Sequence, residues 1–200
     1  FVEALGGAET SGYRAQAYLA MGLGKVDKAT GSLRRVLRAN KEDLDAMRFI
    51  KVLYRTTEKW GPLAETIKKE SALLPESDPF RASLAYRDLI ELYRDQLNQP
   101  TNVLAAYKSL VAVNPTDVAT LDEYARLLEE LNRPQDLVQV LRLKADAADS
   151  DEAKIAIHVE VAGLFLDRFN NQVEAISSFE QVLELNPDHP AALEALEDLY

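Results

Sequence analysis

The chain has no cysteine, which excludes disulfides and thiolate-bound metal. Its two histidines, His158 and His189, stand far apart and supply no zinc-ligand spacing. No apolar run approaches the roughly 18–20 residues that cross a bilayer, and no charged stretch followed by an apolar one opens the sequence as a secretory signal would. Direct membrane insertion is therefore not expected. Glycine and proline are scarce, eight of each in 200 residues, and they fall at segment ends, where they suit helices joined by short turns. A cysteine-free chain fits the cytoplasm or an oxidising compartment. The cytoplasm is the favoured expectation, with the periplasm open if a signal lies outside this stretch. Opening on Phe1 and stopping at Tyr200 within a helical pattern, the sequence reads as part of a longer chain.

What is present is ample material for a packed core: 47% hydrophobic and 28% charged residues. The net charge of −10 is unevenly spread. Residues 1–70 carry 13 Lys and Arg against 9 Asp and Glu (+4), and residues 71–200 carry 10 against 24 (−14). An acidic balance argues against nucleic acid as partner, because its binders present a basic stripe.

One motif is written three times. "SSFEQVLELNPDHPAALEALEDLY" (177–200) overlays "AAYKSLVAVNPTDVATLDEYARLL" (105–128) at an offset of 72, placing Tyr107 on Phe179 and Leu110 on Val182. "GSLRRVLRANKEDLDAMRFIKVLY" (31–54) overlays the middle copy at 74, placing Leu33 on Tyr107. Apolar residues three and four apart predict helices near 10–22, 26–39, 43–56, 61–73, 78–97, 101–113, 117–131, 134–147, 151–169, 172–185 and 189–200, with residues 1–9 the remnant of a preceding helix. Pro62, Pro100 and Pro134 open helices, where a missing N–H costs little, and Asp78, Asp117 and Asp188 are the expected N-caps. A helix pair every 34 to 40 residues without a strand pattern predicts an all-α solenoid, in units near 10–43, 44–77, 78–117, 118–150, 151–189 and a half unit 190–200.

At this point the chain resembles the tetratricopeptide repeat (TPR) family, in the manner of a bacterial TPR scaffold. The clearest unit is 155–187, where "VAGLF" precedes "EAISSFEQVLELNP": Ala162, Gly163 and Ala175 look like the family's small residues, Phe179 its aromatic knob and Pro187 its closing proline. Ala17, Gly24 and Ala29 keep the pattern in the first unit, and Tyr107 with Pro115 in the third. The departures are Lys51 at a small-residue position, Leu63 and Leu137 at another, Lys41 in a proline slot, and an added apolar residue, Leu97 or Phe169, in two internal turns. Helical repeats of the half-TPR class are the competing assignment. The resemblance implies a right-handed superhelical array of helix pairs that acts as a protein-interaction scaffold, the first helix of each pair lining a concave face.

No cofactor, metal or catalytic centre is expected. His158 lies in an amphipathic helix as a packing residue, His189 in a turn, and "GLGKVDK" (22–28) lacks the spacing of a phosphate loop. Projecting the family's groove onto this chain gives Arg14 and Tyr18, then Arg48 and Arg55, Arg87 and Arg94, and Arg126. Such a row would grip an acidic segment through bidentate hydrogen bonds, or else serve intrahelical ion pairs on a solvated face. The chaperone-binding carboxylate clamp cannot be placed, so no chaperone is expected. Farther along, Ala156, Val159, Gly163 and Leu166 would form an apolar floor or else core, ahead of Glu194 and Asp198; Trp60 reads as an interhelix plug, and "LRRVLRANK" (33–41) as a basic patch on a second helix. The partner expected is a protein or peptide, with an acidic segment the specific form. Two alternatives stand: a spacer or strut that works through its ends, self-associating through Leu193, Leu196 and Tyr200 of the last helix, or a recruiting domain of a larger enzyme.

Overall fold

The repeat is set by five turns in which one residue adopts the left-handed backbone conformation: Gly24 (φ 69°), Glu58 (54°), Asn98 (49°), Asn132 (51°) and Asn170 (48°), spaced 34, 40, 34 and 38 residues apart. The computed structural model describes residues 2–74 and 78–200, with side chains from residue 10 onward. The expected unit boundary at 77 falls on residues outside that description. At Gly24, Glu58 and Asn132 the left-handed residue's N–H reaches the carbonyl three residues back. The next N–H reaches five back, as in Lys25 to Ala20, Lys59 to Tyr54 and Arg133 to Leu128, each 2.8 Å. This pairing satisfies carbonyls that a helix end otherwise leaves open. After Asn98 and Asn170 the reach is six residues, Gln99 to Tyr93 at 2.8 Å and Asn171 to Phe165 at 2.9 Å. The wider ring holds one more residue in the two turns where Leu97 and Phe169 stand.

Each such turn joins two helices. The pairs are α1 (Val2–Gly22) with α2 (Val26–Ala39), α3 (Leu44–Thr56) with α4 (Trp60–Leu73), α5 (Pro79–Glu91, continued by a π-helical turn Leu92–Gln96) with α6 (Pro100–Val113), α7 (Val118–Glu130) with α8 (Pro134–Ala147), and α9 (Asp151–Phe169) with α10 (Gln172–Leu185). A further first helix, α11 (Pro190–Leu199), follows. The helix expected over 10–22 thus begins at Val2. Side-chain caps mark the first helices: Asp43, Asp78, Asp117 and Ser150 each accept from an N–H three residues on, one of the donors a helix start leaves unpaired. For α11 the cap is His189 rather than the expected Asp188, its Nδ1 accepting from the Ala192 N–H at 3.3 Å. The chain runs one residue further before it turns helical, so the aspartate falls outside reach.

Among the described residues the chain is all-α, a solenoid of helix pairs that divides into two compact units, Phe1–Ala106, in which α1 to α5 each pack on the next, and Tyr107–Tyr200, in which α7 to α11 do. In the first unit Leu33, Ile50, Leu63 and Ile67 are buried to 1% exposure or less. Lys51 is half-buried and ion-pairs with the buried Glu70 of α4. In the second unit Tyr124 stacks on Tyr107, ring centroids 5.3 Å apart, beside Leu121 and Leu128. Ala162, Phe179, Val182, Ala192 and Leu196 form a continuous core with Ile155, Val159 and Leu166 against it. Ala17, Ala29, Ala162 and Ala175 are fully buried, as close helix contact requires. Gly163 is not: a Cβ there would meet nothing within 4 Å.

Candidate partner-binding face

Helix α3 sorts its side chains onto two sides. Ala46, Met47, Ile50, Leu53 and Tyr54 are buried, while Asp45, Arg48, Phe49, Val52 and Arg55 recur mostly at three-residue steps and stay exposed. Two of the exposed five are large and apolar. Phe49 meets Tyr18 of α1 edge to face, ring centroids 5.0 Å apart. Val52, 55% exposed, shares an open cleft of about 330 Å³ with Arg48, Arg55 and Asp88 of α5. One turn before Asp88 stands Leu84, 52% exposed. The exposed sides of α1, α3 and α5 therefore run together in the first unit, carrying aromatic, aliphatic and guanidinium groups. The sequence-based projection picked Tyr18 and the arginines but missed Phe49, Val52 and Leu84. Their signal is an apolar residue on the side of an amphipathic helix that its buried residues do not use.

The arginines themselves differ in situation. Arg14 is half-buried and ion-pairs with Asp43, the cap of α3. Arg48 lies 3.3 Å from Asp45 on its own helix, and Arg55 bridges α3 to α5 with Nη2 at 2.5 Å from Asp88 Oδ1. Arg87 is half-buried on α5. Arg94 sits in the π-helical turn, its Nε donating to Asp95 at 2.7 Å, and this hydrogen bond holds the Asp95 carboxyl below its ordinary range. Arg126 is in the second unit, exposed on α7, its Nε donating to the Asp122 carbonyl at 3.3 Å. The structure brings Tyr18, Arg48 and Arg55 to one face with Asp88 and gives Arg14 an intramolecular partner.

The apolar floor expected farther along divides. Val159 and Leu166 pack on the α9–α10–α11 core, Gly163 is half-buried, and Ala156 is exposed. Leu196, expected on an outer face of the last helix, is 8% exposed inside the same core, leaving Leu193 and Tyr200 outside. Trp60 is half-buried at the first position of α4. No described helix is long and apolar enough to cross a membrane, and no described group of His, Cys, Asp and Glu could hold a metal ion.

In the second unit a carboxyl and an imidazole are among the shifted groups. Burial raises the Glu160 carboxyl, with Glu129 and Asp122 adding to it against the pull of Lys144. Burial lowers the His158 imidazole; Arg142 adds to this, opposed by Asp146 and Glu184. The folded state thus holds the proton less tightly than the unfolded chain. His158 consequently costs no stability above its ordinary value and progressively destabilises as the pH falls below about 6.5. Urea midpoints measured across that interval should decline less in His158→Gln than in the parent; equal slopes would mean that His158 is not the group responsible.

No protein-family model and no curated protein sequence matches the chain. Solved TPR structures do resemble it. A MamA protein from Desulfovibrio magneticus RS-1 is 16% identical, covering 91% of this chain and 97% of its own, at a TM-score of 0.41. YrrB, described as a TPR protein with an unusual peptide-binding site, is 15% identical, covering 92% and 90%, at 0.39. A TPR protein from Parabacteroides merdae is 17% identical, covering 96% and 73%, at 0.42. On its own helix pairs and the turns that join them, the chain has a TPR-type fold.

Proposed function

We propose that this chain is a protein-interaction module whose partner lies along the α1–α3–α5 face of the first unit. The observation that carries the reading is the set of exposed Tyr18, Phe49, Val52 and Leu84 among arginines, on sides of their helices that core packing does not use. Exposed apolar side chains set among arginines mark interaction sites, and aromatic and arginine side chains dominate their energetics. The partner best matched is a segment that combines apolar anchors with carboxylates. Its carboxylates would take the places of Asp45 and Asp88 on Arg48 and Arg55. Exposed pairs of that kind contribute only about 0–1 kcal/mol, so exchanging them costs little.

The test is affinity capture from source lysate with the parent chain, Val52→Asp and Arg48→Glu/Arg55→Glu, helicity checked by circular dichroism. Capture of a partner should weaken about tenfold or more in both variants, and high salt should weaken it in the parent. A partner retained equally by both variants would move the site off this face.

A further inference from the structure

The opposite side of α3 borders a second cleft of different character. It is open, about 380 Å³, and floored by Met47, Ile50 and Tyr54 of α3. Its walls carry Arg34 and Arg38 from α2 and Lys69 from α4, with Lys41 in the intervening turn, and no described carboxylate lines it. Among the described residues none of these four cations has a carboxylate partner. By contrast, Arg48, Arg55, Lys59 and Arg142 each stand within 3.3 Å of a carboxylate, in a chain with 33 Asp and Glu and a net charge of −10. Clustered like charges repel one another. Arg34 is also held in place: its Nε donates to the Tyr54 hydroxyl at 2.9 Å and its guanidinium lies over the Tyr54 ring, 5.6 Å from the centroid. This uses one of five N–H donors and fixes the plane that carries the rest.

We propose that this α2–α3–α4 cleft is a second docking site, independent of the α1–α3–α5 face, for an extended acidic protein segment with successive carboxylates. Spacing and charge select that occupant. Arg34 and Arg38 are four residues apart on one helix, about 6 Å along its axis. In an extended chain, side chains two residues apart lie on the same side at about 6.6 Å. Carboxylates at positions i and i+2 therefore meet Arg34 and Arg38 on one wall, and the carboxylate at i+1 points to Lys69 on the other. The guanidiniums can take their carboxylates bidentately. The segment's backbone lies over the apolar floor, where the low dielectric of Met47 and Ile50 strengthens the pairing.

The test uses the whole chain and a short fluorescent peptide with a run of consecutive Glu, titrated by anisotropy. The comparison peptide has the same number of Glu set four residues apart by Gly and Ser. The contiguous peptide should bind, weaken with salt, and weaken about tenfold or more in Arg38→Glu/Lys69→Glu, because reversing both walls turns attraction into repulsion. Both positions are exposed, so the variant should keep its helicity. Tyr54→Phe keeps the ring and removes the hydroxyl that orients Arg34, and should weaken binding by a smaller factor. Arg48→Glu/Arg55→Glu should bind as the parent does, which separates this site from the other face. Four results would overturn the proposal: no binding of the contiguous peptide, equal binding of the spaced peptide, binding unaffected by Arg38→Glu/Lys69→Glu, or binding of phosphatidylserine vesicles in place of the peptide.

Discussion

Phe179→Ala is expected to destabilise the second unit by about 3–5 kcal/mol, the range for deleting a buried aromatic side chain. Phe179 is 6% exposed and sits among Ala162, Val182, Ala192 and Leu196, joining α9, α10 and α11. Two of those four neighbours are alanines, whose methyl groups cannot swing in to fill the space. The hole therefore stays, and its lining loses contacts outright. In a solenoid each pair is stabilised by its immediate neighbours, so the loss concentrates on α9–α11. Urea unfolding followed by circular dichroism would register it as a lower midpoint or as an early phase. Phe179→Leu should cost much less. A change below about 1 kcal/mol for the alanine variant would mean that the site collapses and that Phe179 is not the residue that joins the three helices.

Asp43→Ala should cost about 2–3 kcal/mol in the first unit, more than an ordinary cap, for which about 1 kcal/mol is typical. The Asp43 side chain is only 6% exposed, accepts from the Ala46 N–H at 2.9 Å, and ion-pairs with Arg14 across from α1. Its loss leaves a helix start uncapped and a half-buried guanidinium without its carboxylate. Asp43→Asn keeps an acceptor oxygen for the cap and removes only the charge, so it should lie between parent and alanine. A double-mutant cycle with Arg14→Ala measures the pair directly. A clear coupling energy assigns Arg14 to holding α1 on α3. Zero coupling would return Arg14 to the set of groups available to a ligand.

The sites where sequence pattern and structure part share a cause. Lys51 breaks the small-residue pattern, yet its ammonium ion reaches Glu70 nineteen residues on, a pairing no local periodicity encodes. Leu63 and Leu137 break it too, and are nevertheless 0% and 3% exposed, packed inside the core. Gly163 fits the pattern without needing to be small. Leu196 and Leu193 look alike in sequence, three apart on one helix, but packing against α9 and α10 takes the first and leaves the second 41% exposed. The position of Leu193 in the repeat is held by Leu121 and Met47 in earlier copies, both buried.

By itself the sequence determined the helices, their pairing and the turns between them. Those depend on short-range chemistry: apolar residues at three- and four-residue steps, prolines at helix starts, and caps a few residues from the N–H groups they serve. It also placed the recurring knobs, since Leu33, Tyr107 and Phe179 are all buried where the repeat set them. Only the tertiary structure decided which of many surface arginines meet a carboxylate from another helix, as Arg14 and Arg55 do. It also decided that Phe49, Val52 and Leu84 stay outside, and that four cations from α2, the following turn and α4 line one cleft with no acid among the described residues that line it. Helix periodicity fixes which side of a helix a residue takes; what stands opposite depends on residues far away in the chain.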